Sequence, residues 1–563
     1  MHDLLIKGGT VIDGSGAPRF IGDIAIDGDR IAAVGPSGSC GTARRVIDAD
    51  GRLVTPGFVD VHTHYDAQVT WDPMLSPSSW HGVTTVVMGN CGVGFAPARP
   101  DRHDWLIGLM EGVEDIPGAA MVEGIEWAWE SFPEYLDAIE SKPHAIDFGT
   151  QIPHGALRAY VMGERGAGNE EANADDIAQM SALVAEALEA GALGFSTSRT
   201  TLHKSIDGVC VPGTFATRDE IFGIGEALKR TKKGIYQLAC EHTMVPQEFV
   251  WMRELARDID RPVCFNLSQT DFAPNLWKEV VGLLDGLEDE KLFCQVAGRA
   301  IGLVMSFRLT AHPFAGKPTW KTLAELPWPQ LRAALARPEV RTALLNEDSE
   351  GLNLFEMFVT QSWQKMFRLG HYEPTPDQSV LAESKRTGRS SAEIAYDWLM
   401  EEDGEGKMYF PLFNYVDGHL DALRELHQHP RTRMGLSDGG AHCGAICDGG
   451  MPTFMLSYWG RDRPEGLPLE HLVWRQTRQT AELFGLNDRG LLHPGMKADV
   501  NIIDFDALGF ERAEVVFDLP AGGRRLIQRA RGYEATICGG VPIFEGGVAT
   551  GNLPGKLIRG ARA

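Results

Sequence analysis

The chain has 563 residues, 43% of them hydrophobic and 23% charged, the proportions of a folded globular protein. Its 77 acidic against 53 basic residues give a formal charge of −24, which repels a polyphosphate partner; no local basic patch offsets it, so nucleic acid is not expected as a partner. No apolar run reaches the roughly 18 residues needed to span a bilayer, so a soluble protein without a membrane partner is expected.

Met1-His2-Asp3-Leu4-Leu5-Ile6-Lys7 lacks the basic region, apolar stretch and small-residue cleavage site of a secretory leader, and export is not expected. The nine cysteines stand singly apart from Cys443 and Cys447, with no CxxC pair, which fits reduced thiols and a cytoplasmic location.

In chain order, LLIKGGTVIDGSG, DIAIDGDRIAAVG and RVIDADGRLVTPG alternate short apolar strands with the turn pairs Asp13-Gly14, Asp27-Gly28 and Asp50-Gly51, a β-meander pattern. The same texture returns in 497–506, 533–547 and the closing GNLPGKLIRG, so residues 1–54 and 488–563 are expected to form one small β-domain. Between them, over 55–487, strand-like runs alternate with helix-period segments: GFVDVHTH, GVTTVVMGNCG, AIDFGTQIPHG, GALGFSTS, KKGIYQLAC, RPVCFNLSQ and TRMGLSDGG. That alternation predicts an α/β protein with a (β/α)8 TIM-like barrel, and residues 160–175 and 340–410 read as insertions on its loops.

The first barrel strand ends in His62-Thr63-His64. Side chains two apart on a strand share a face, so both imidazoles can reach one ion at a barrel mouth. An isolated HxH reads as two satisfied polar residues; the Gly-rich strands before it and GVTTVV after it favour the metal reading.

The segment 110–139 interleaves Glu111, Glu114, Asp115, Glu123 and Glu130 with Trp127, Trp129, Phe132 and Tyr135. Two readings stand: a lid whose aromatics, Trp127 and Trp129 among them, wall the substrate, or a helical insertion packed on the barrel. Arg199 and His203, after GFSTS, and His442, near the last strand, are candidates for substrate contact or for plain barrel-mouth positions. Asp438 closes a late apolar strand ahead of two glycines. It is a turn residue when read alone, and a metal ligand and proton acceptor when read with the HxH pair.

His62, His64 and Asp438 in this order, with IKGGTVIDGSG, HGVTTVVMGNCGVGFAP (81–97), HGALR (154–158) and ADVNIIDFD, resemble the amidohydrolase superfamily over nearly the whole chain, specifically its N-acyl-D-amino-acid deacylase branch. The resemblance implies that Cys91 is a fourth ligand beside His62, His64 and Asp438, and that His154 lies near the active site, where stabilising a developing oxyanion is the role expected of it. Thiolate and imidazole together suit zinc.

Relatives supply two further histidines from the fifth and sixth strands; the matching stretches, 234–240 and 262–269, carry none at the strand ends, His242 lies beyond the first, and Gln269 stands where relatives have a substrate-binding lysine. One zinc per chain is therefore expected in preference to two.

The implied activity is hydrolysis of a C–N amide bond in a small N-acyl amino acid-like compound by metal-activated water, Asp438 taking the proton and returning it to the leaving amine. A cyclic amide, lactone or other amide or ester is the alternative substrate. A decayed metal-binding barrel and an assembly scaffold are the alternatives outside catalysis. A homo-oligomer is expected from the habit of the superfamily.

Overall fold

The computed structural model describes residues 1–287 and 289–560; the last three residues of the expected C-terminal β-segment lie outside them. Among the described residues, eight strands run parallel around a barrel: β1 (Phe58–Asp60), β2 (Val83–Met88), β3 (Asp147–Thr150, resuming as Ile152–Pro153), β4 (Gly194–Ser198), β5 (Ile235–Ala239), β6 (Val263–Asn266), β7 (Leu292–Val296) and β8 (Thr432–Met434). Every neighbouring pair from β1 to β8 is parallel. The ring closes beyond the strand ends, where Thr63 bridges Gly439, His64 N donates to Gly439 O at 2.8 Å, and Asp438 N donates to His62 O at 3.1 Å. Strands such as VTTVVM and IYQLA are buried along their whole length, as expected of a parallel sheet covered on both faces. The sequence reading does not single out β7, whose short LFCQV run stands alone.

The helices between strands carry strong start signals. Asn173 caps Ala174–Ala190 in a capping box, and the Thr217 side chain caps Arg218–Thr231.

The two ends of the chain pair in one sheet. Its strands are His2–Val11, Phe20–Asp27, Arg30–Pro36, Ala43–Asp48 and Leu53–Pro56, joined by Val500–Ile503, Tyr533–Cys538, Val541–Glu545 and Val548–Ala549. Leu4, Ile6, Ile24, Val54, Val500, Ile502 and Ile537 pack in its own core. Two details depart from the sequence reading. Ala43–Asp48 and Leu53–Pro56 both run parallel to His2–Val11, so only the segment from His2 to Pro36 is a meander. The closing GNLPGKLIRG leaves the sheet: Gly555 bridges His144 and Leu557 bridges Phe148, so this tail runs along β3.

The large insertion starts earlier than the sequence suggests. After β7 the chain forms a small antiparallel sheet of Gly302–Met305, Phe367–Arg368 and Met408–Pro411, with helices from Pro318 onward and a separate core around Phe307, Trp320, Tyr396 and Phe410. No helix among the described residues is long and apolar enough to cross a membrane.

Candidate metal centre

At the C-terminal ends of β1, β2 and β8, four side chains converge. Cys91 Sγ lies 3.3 Å from His62 Nε2, and Asp438 Oδ1 lies 3.5 Å from His62 Nε2 and 3.8 Å from His64 Nε2. Potential ligand atoms of His62, His64 and Cys91 all fall within 4.8 Å of one another. This is the end of a parallel barrel where loops of different strands meet.

The GNCG turn holds Cys91 there by backbone crowding. A Cβ on Gly89 would sit 2.3 Å from Gln151 O, and one on Gly92 would sit 2.8 Å from Ser198 N, so only glycine fits on either side. Asn90 donates to Thr63 O and Val87 O and accepts from Gln151, binding the ends of β1, β2 and β3 together. Cys91 N donates to Gln237 Oε1 at 3.1 Å, and Gly92 N donates to Ser196 Oγ at 3.0 Å. Cys91 and Asp438 both hold left-handed backbone angles, φ 56° and 48°, a strain that non-glycine residues accept where the surroundings impose it.

The histidines are oriented from behind. His62 Nδ1 donates to Gln295 Oε1 at 2.5 Å, which leaves Nε2 with its lone pair facing Cys91 and Asp438. His64 Nδ1 faces Glu114 Oε1 at 3.3 Å. Asp60 accepts from Ser437 Oγ at 2.5 Å and from His62 N at 3.3 Å, and so fixes the β1 and β8 ends in register.

Electrostatically, the cluster sets two neutral imidazoles among buried acids. Burial pushes His62 down to about 4, and burial with the neighbouring His62, His442 and His203 holds His64 well below the ordinary imidazole range, so both rings are neutral donors. Burial raises Asp438 to about 6 and Asp66 to about 7, and lifts Glu114 and the Cys91 thiol well above their usual values, with Asp438 and Asp66 adding to the shift of Glu114 and all three acids to that of Cys91. Neutral imidazoles beside crowded buried acids fit a divalent ion, whose charge would reverse these penalties.

The Amidohydrolase family profile matches residues 45–544. The chain belongs to the amidohydrolase family. It is a hydrolase of carbon–nitrogen bonds other than peptide bonds. It is 29% identical to the D-aminoacylase of Alcaligenes xylosoxydans xylosoxydans, over 99% of this chain and 97% of that one. The fold is shared with a D-aminoacylase structure described by its binuclear metal centre, with a TM-score of 0.66 and 24% identity, over 99% of this chain and 100% of that one. It is likewise shared with N-acyl-D-glutamate deacylase from Bordetella bronchiseptica complexed with zinc and a phosphonate inhibitor, with a TM-score of 0.66 and 22% identity, over 99% of both chains.

Within this amidohydrolase the other expected site residues fall into two groups. His442 stands at the cluster, Nε2 3.5 Å from Glu114 Oε2 and 4.0 Å from Asp438 Oδ2, with 26% of its side chain exposed. Half-buried His203, which accepts or donates at 3.1 Å to Ser198 Oγ, is pushed down to about 3 by burial and by His442, His242 and His62, so these four rings share one electrostatic neighbourhood.

The second group is engaged elsewhere. His154 uses both ring nitrogens, Nδ1 with Thr197 Oγ1 at 2.8 Å and Nε2 with Glu220 Oε1 at 2.9 Å, which leaves neither for the expected oxyanion contact. Arg199 is paired with Glu248 at 2.9 Å and donates to Ala216 O. Gln269 donates from Nε2 to Asp417 at 2.7 Å and accepts from Val416 N. Trp129 is buried and donates to Phe95 O, while Trp127 stacks on His103 with centroids 3.7 Å apart, so the packed-insertion reading of 110–139 describes both. Cys240 Sγ points to Met252 Sδ at 3.9 Å; His242, by contrast, packs its ring on Phe413 with centroids 4.7 Å apart but leaves its buried Nδ1 without a hydrogen-bond partner among the described residues.

The sequence does not single out Gln295, Gln237 or Asp66 as site residues, and it names Glu114 only as one acid among several. Glu114 ends helix α1 (His103–Glu114), is 2% exposed, and its carbonyl accepts from His442 N. The next residue, Asp115, accepts from Thr310 Oγ1 at 3.0 Å and Gly444 N at 3.1 Å, tying the insertion after β2 to those after β7 and β8.

Proposed function

We propose that the chain hydrolyses the amide bond of a small N-acyl amino acid-like compound at one zinc ion held by His62, His64, Cys91 and Asp438. The observation that carries this reading is the convergence of His62 Nε2, Cys91 Sγ and Asp438 Oδ1 at 3.3 and 3.5 Å, with His64 Nε2 beside them at 3.8 Å. The mixed nitrogen, sulfur and oxygen donor set supports zinc. When bound, such an ion polarises a carbonyl and lowers the pKa of water.

The chain's own groups divide the remaining work. Asp438 keeps 15% of its side chain exposed against 1% for each of His62 and His64, so it faces the substrate. It accepts a proton from the attacking water and returns it to the leaving amine. His442 and His203, on the open side, orient the substrate.

The likeness to D-aminoacylase and N-acyl-D-glutamate deacylase supports an N-acylated amino acid as substrate. One ion rather than two is supported by the end of β5, where Gln237 accepts from Cys91 N and Cys240 lies against Met252, although His242, packed on Phe413, keeps a buried Nδ1 without a hydrogen-bond partner among the described residues. A second reading draws on Gln269: with its amide committed to Asp417 and Val416, that position offers no cation to a substrate carboxylate, which favours an uncharged amide, a cyclic amide or a lactone.

In the same reading, 55–487 is the catalytic unit and 1–54 with 488–563 its supporting β-domain. The nine unpaired cysteines support a reducing cytoplasm, and a homo-oligomer is the expected assembly, which light scattering tests.

Elemental analysis of wild type and of the double variant His62→Ala/His64→Ala, paired with hydrolysis assays on N-acyl-D-amino acids and uncharged cyclic amides, tests the function. About one zinc per chain, lost in the variant, with turnover of the N-acyl amino acids is expected. A metal-free wild type would overturn the reading, and turnover of the uncharged amides alone would favour the second.

A further inference from the structure

Glu114 lies 52 residues beyond His62 in sequence and belongs to the insertion after β2, yet it is buried against the cluster. Its Oε1 is 3.3 Å from His64 Nδ1, and its Oε2 is 3.5 Å from His442 Nε2. His64 is 1% exposed and its Nδ1 completes no hydrogen bond among the described residues; Glu114 Oε1, 3.3 Å away but out of line for one, is the acceptor it has within reach. On the other side of the same ring, Nε2 points to Asp438.

We propose that Glu114 is a positioning residue of the metal centre: it receives the Nδ1–H of His64, fixes that ring in the tautomer that presents Nε2 to the ion, and couples it to His442. This rests on the metal reading above. The logic is that of Gln295 behind His62, with one difference. Gln295 is a neutral acceptor on a barrel strand, whereas Glu114 is a carboxylate supplied by an insertion, and a carboxylate behind a ligand histidine raises the ring's basicity as well as fixing its orientation. The backbone reinforces the arrangement. Glu114 O accepts from His442 N, and Asp115, the left-handed C-cap of α1 at φ 51°, accepts from Thr310 and Gly444. The end of the helix is therefore fixed at several points, which holds the backbone of Glu114, and with it the root of its side chain, beside His64.

The test is zinc competition against a chromophoric chelator, together with the visible spectrum of the cobalt(II)-substituted protein, for wild type, Glu114→Gln and Glu114→Ala. Zinc affinity is expected to fall about 10- to 100-fold in Glu114→Ala. Glu114→Gln, which keeps an oxygen acceptor in the same shape, recovers most of that loss. The cobalt spectrum of Glu114→Ala should keep its thiolate band from Cys91 while its ligand-field bands change. Unchanged affinity and an unchanged cobalt spectrum in a folded Glu114→Ala, or equal losses in the Ala and Gln variants, would overturn the proposal. A wild type that binds no zinc would overturn the metal reading itself, and this proposal with it.

Discussion

Gln295 Oε1 accepts from His62 Nδ1 at 2.5 Å, and Nε2 at the other edge of the imidazole meets Cys91 and Asp438. Replacing Gln295 by Leu removes the acceptor and leaves a buried N–H without a partner. The expected outcome is a loss of zinc affinity of about 10- to 100-fold with the fold retained. A competition titration checks it, and wild-type affinity in the variant would detach Gln295 from the site.

Asp438→Asn separates proton transfer from metal binding. Three ligands remain, so zinc content should stay close to that of wild type while kcat falls by about 100- to 10,000-fold, the range that a positioned acid–base group contributes. Both quantities need measuring on the same sample. An unchanged rate would remove Asp438 from the chemistry.

A pH effect on stability should come from the buried Glu220. Burial pushes its pKa up, but the hydrogen bond and charge of His154 and the Arg158 guanidinium outweigh that and hold it at about 2, below the usual carboxylate range. A depressed carboxylate stabilises the fold above its unfolded pKa and loses that contribution as pH falls through the folded value. Stability should therefore be flat in this contribution above about pH 4.5 and decline toward pH 2. Glu220→Gln leaves Arg158 buried beside a neutral partner, at a cost of about 3–5 kcal/mol near neutral pH, and should flatten the acid-side decline. Urea unfolding of both proteins at several pH values reports this, and parallel pH curves would sink it.

The proposed site was legible in sequence where a candidate ligand ends an apolar strand of its own: His62 and His64 follow GFVDV, and Asp438, a turn residue on its own, follows TRMGLS and gains meaning beside them, while Cys91 came forward only through the family resemblance of its glycine-flanked turn. What stayed hidden is what other strands and insertions bring to those ligands. Gln295 sits on a five-residue strand with no chemistry-bearing pattern, and glutamine is not a residue type that announces a metal site. Glu114 stands among similar acids, and only the fold of α1 turns it inward rather than toward solvent. His154, by contrast, was conspicuous through its motif, but the sequence could not reveal that Thr197 and Glu220 occupy its ring. The barrel was readable from strand and helix alternation. The start of the large insertion was not, because Gly302–Met305 and Met408–Pro411 pair across more than a hundred residues.

Asp115 acts as a keystone. One carboxylate receives Thr310 and Gly444, 195 and 329 residues away along the chain, and so joins the insertions that rise from β2, β7 and β8. Three rims that could have moved separately are locked to a common point one residue from Glu114. Loss of this one carboxylate therefore releases contacts of all three rims together, so that a change far from the ligands in sequence reaches every wall of the barrel mouth.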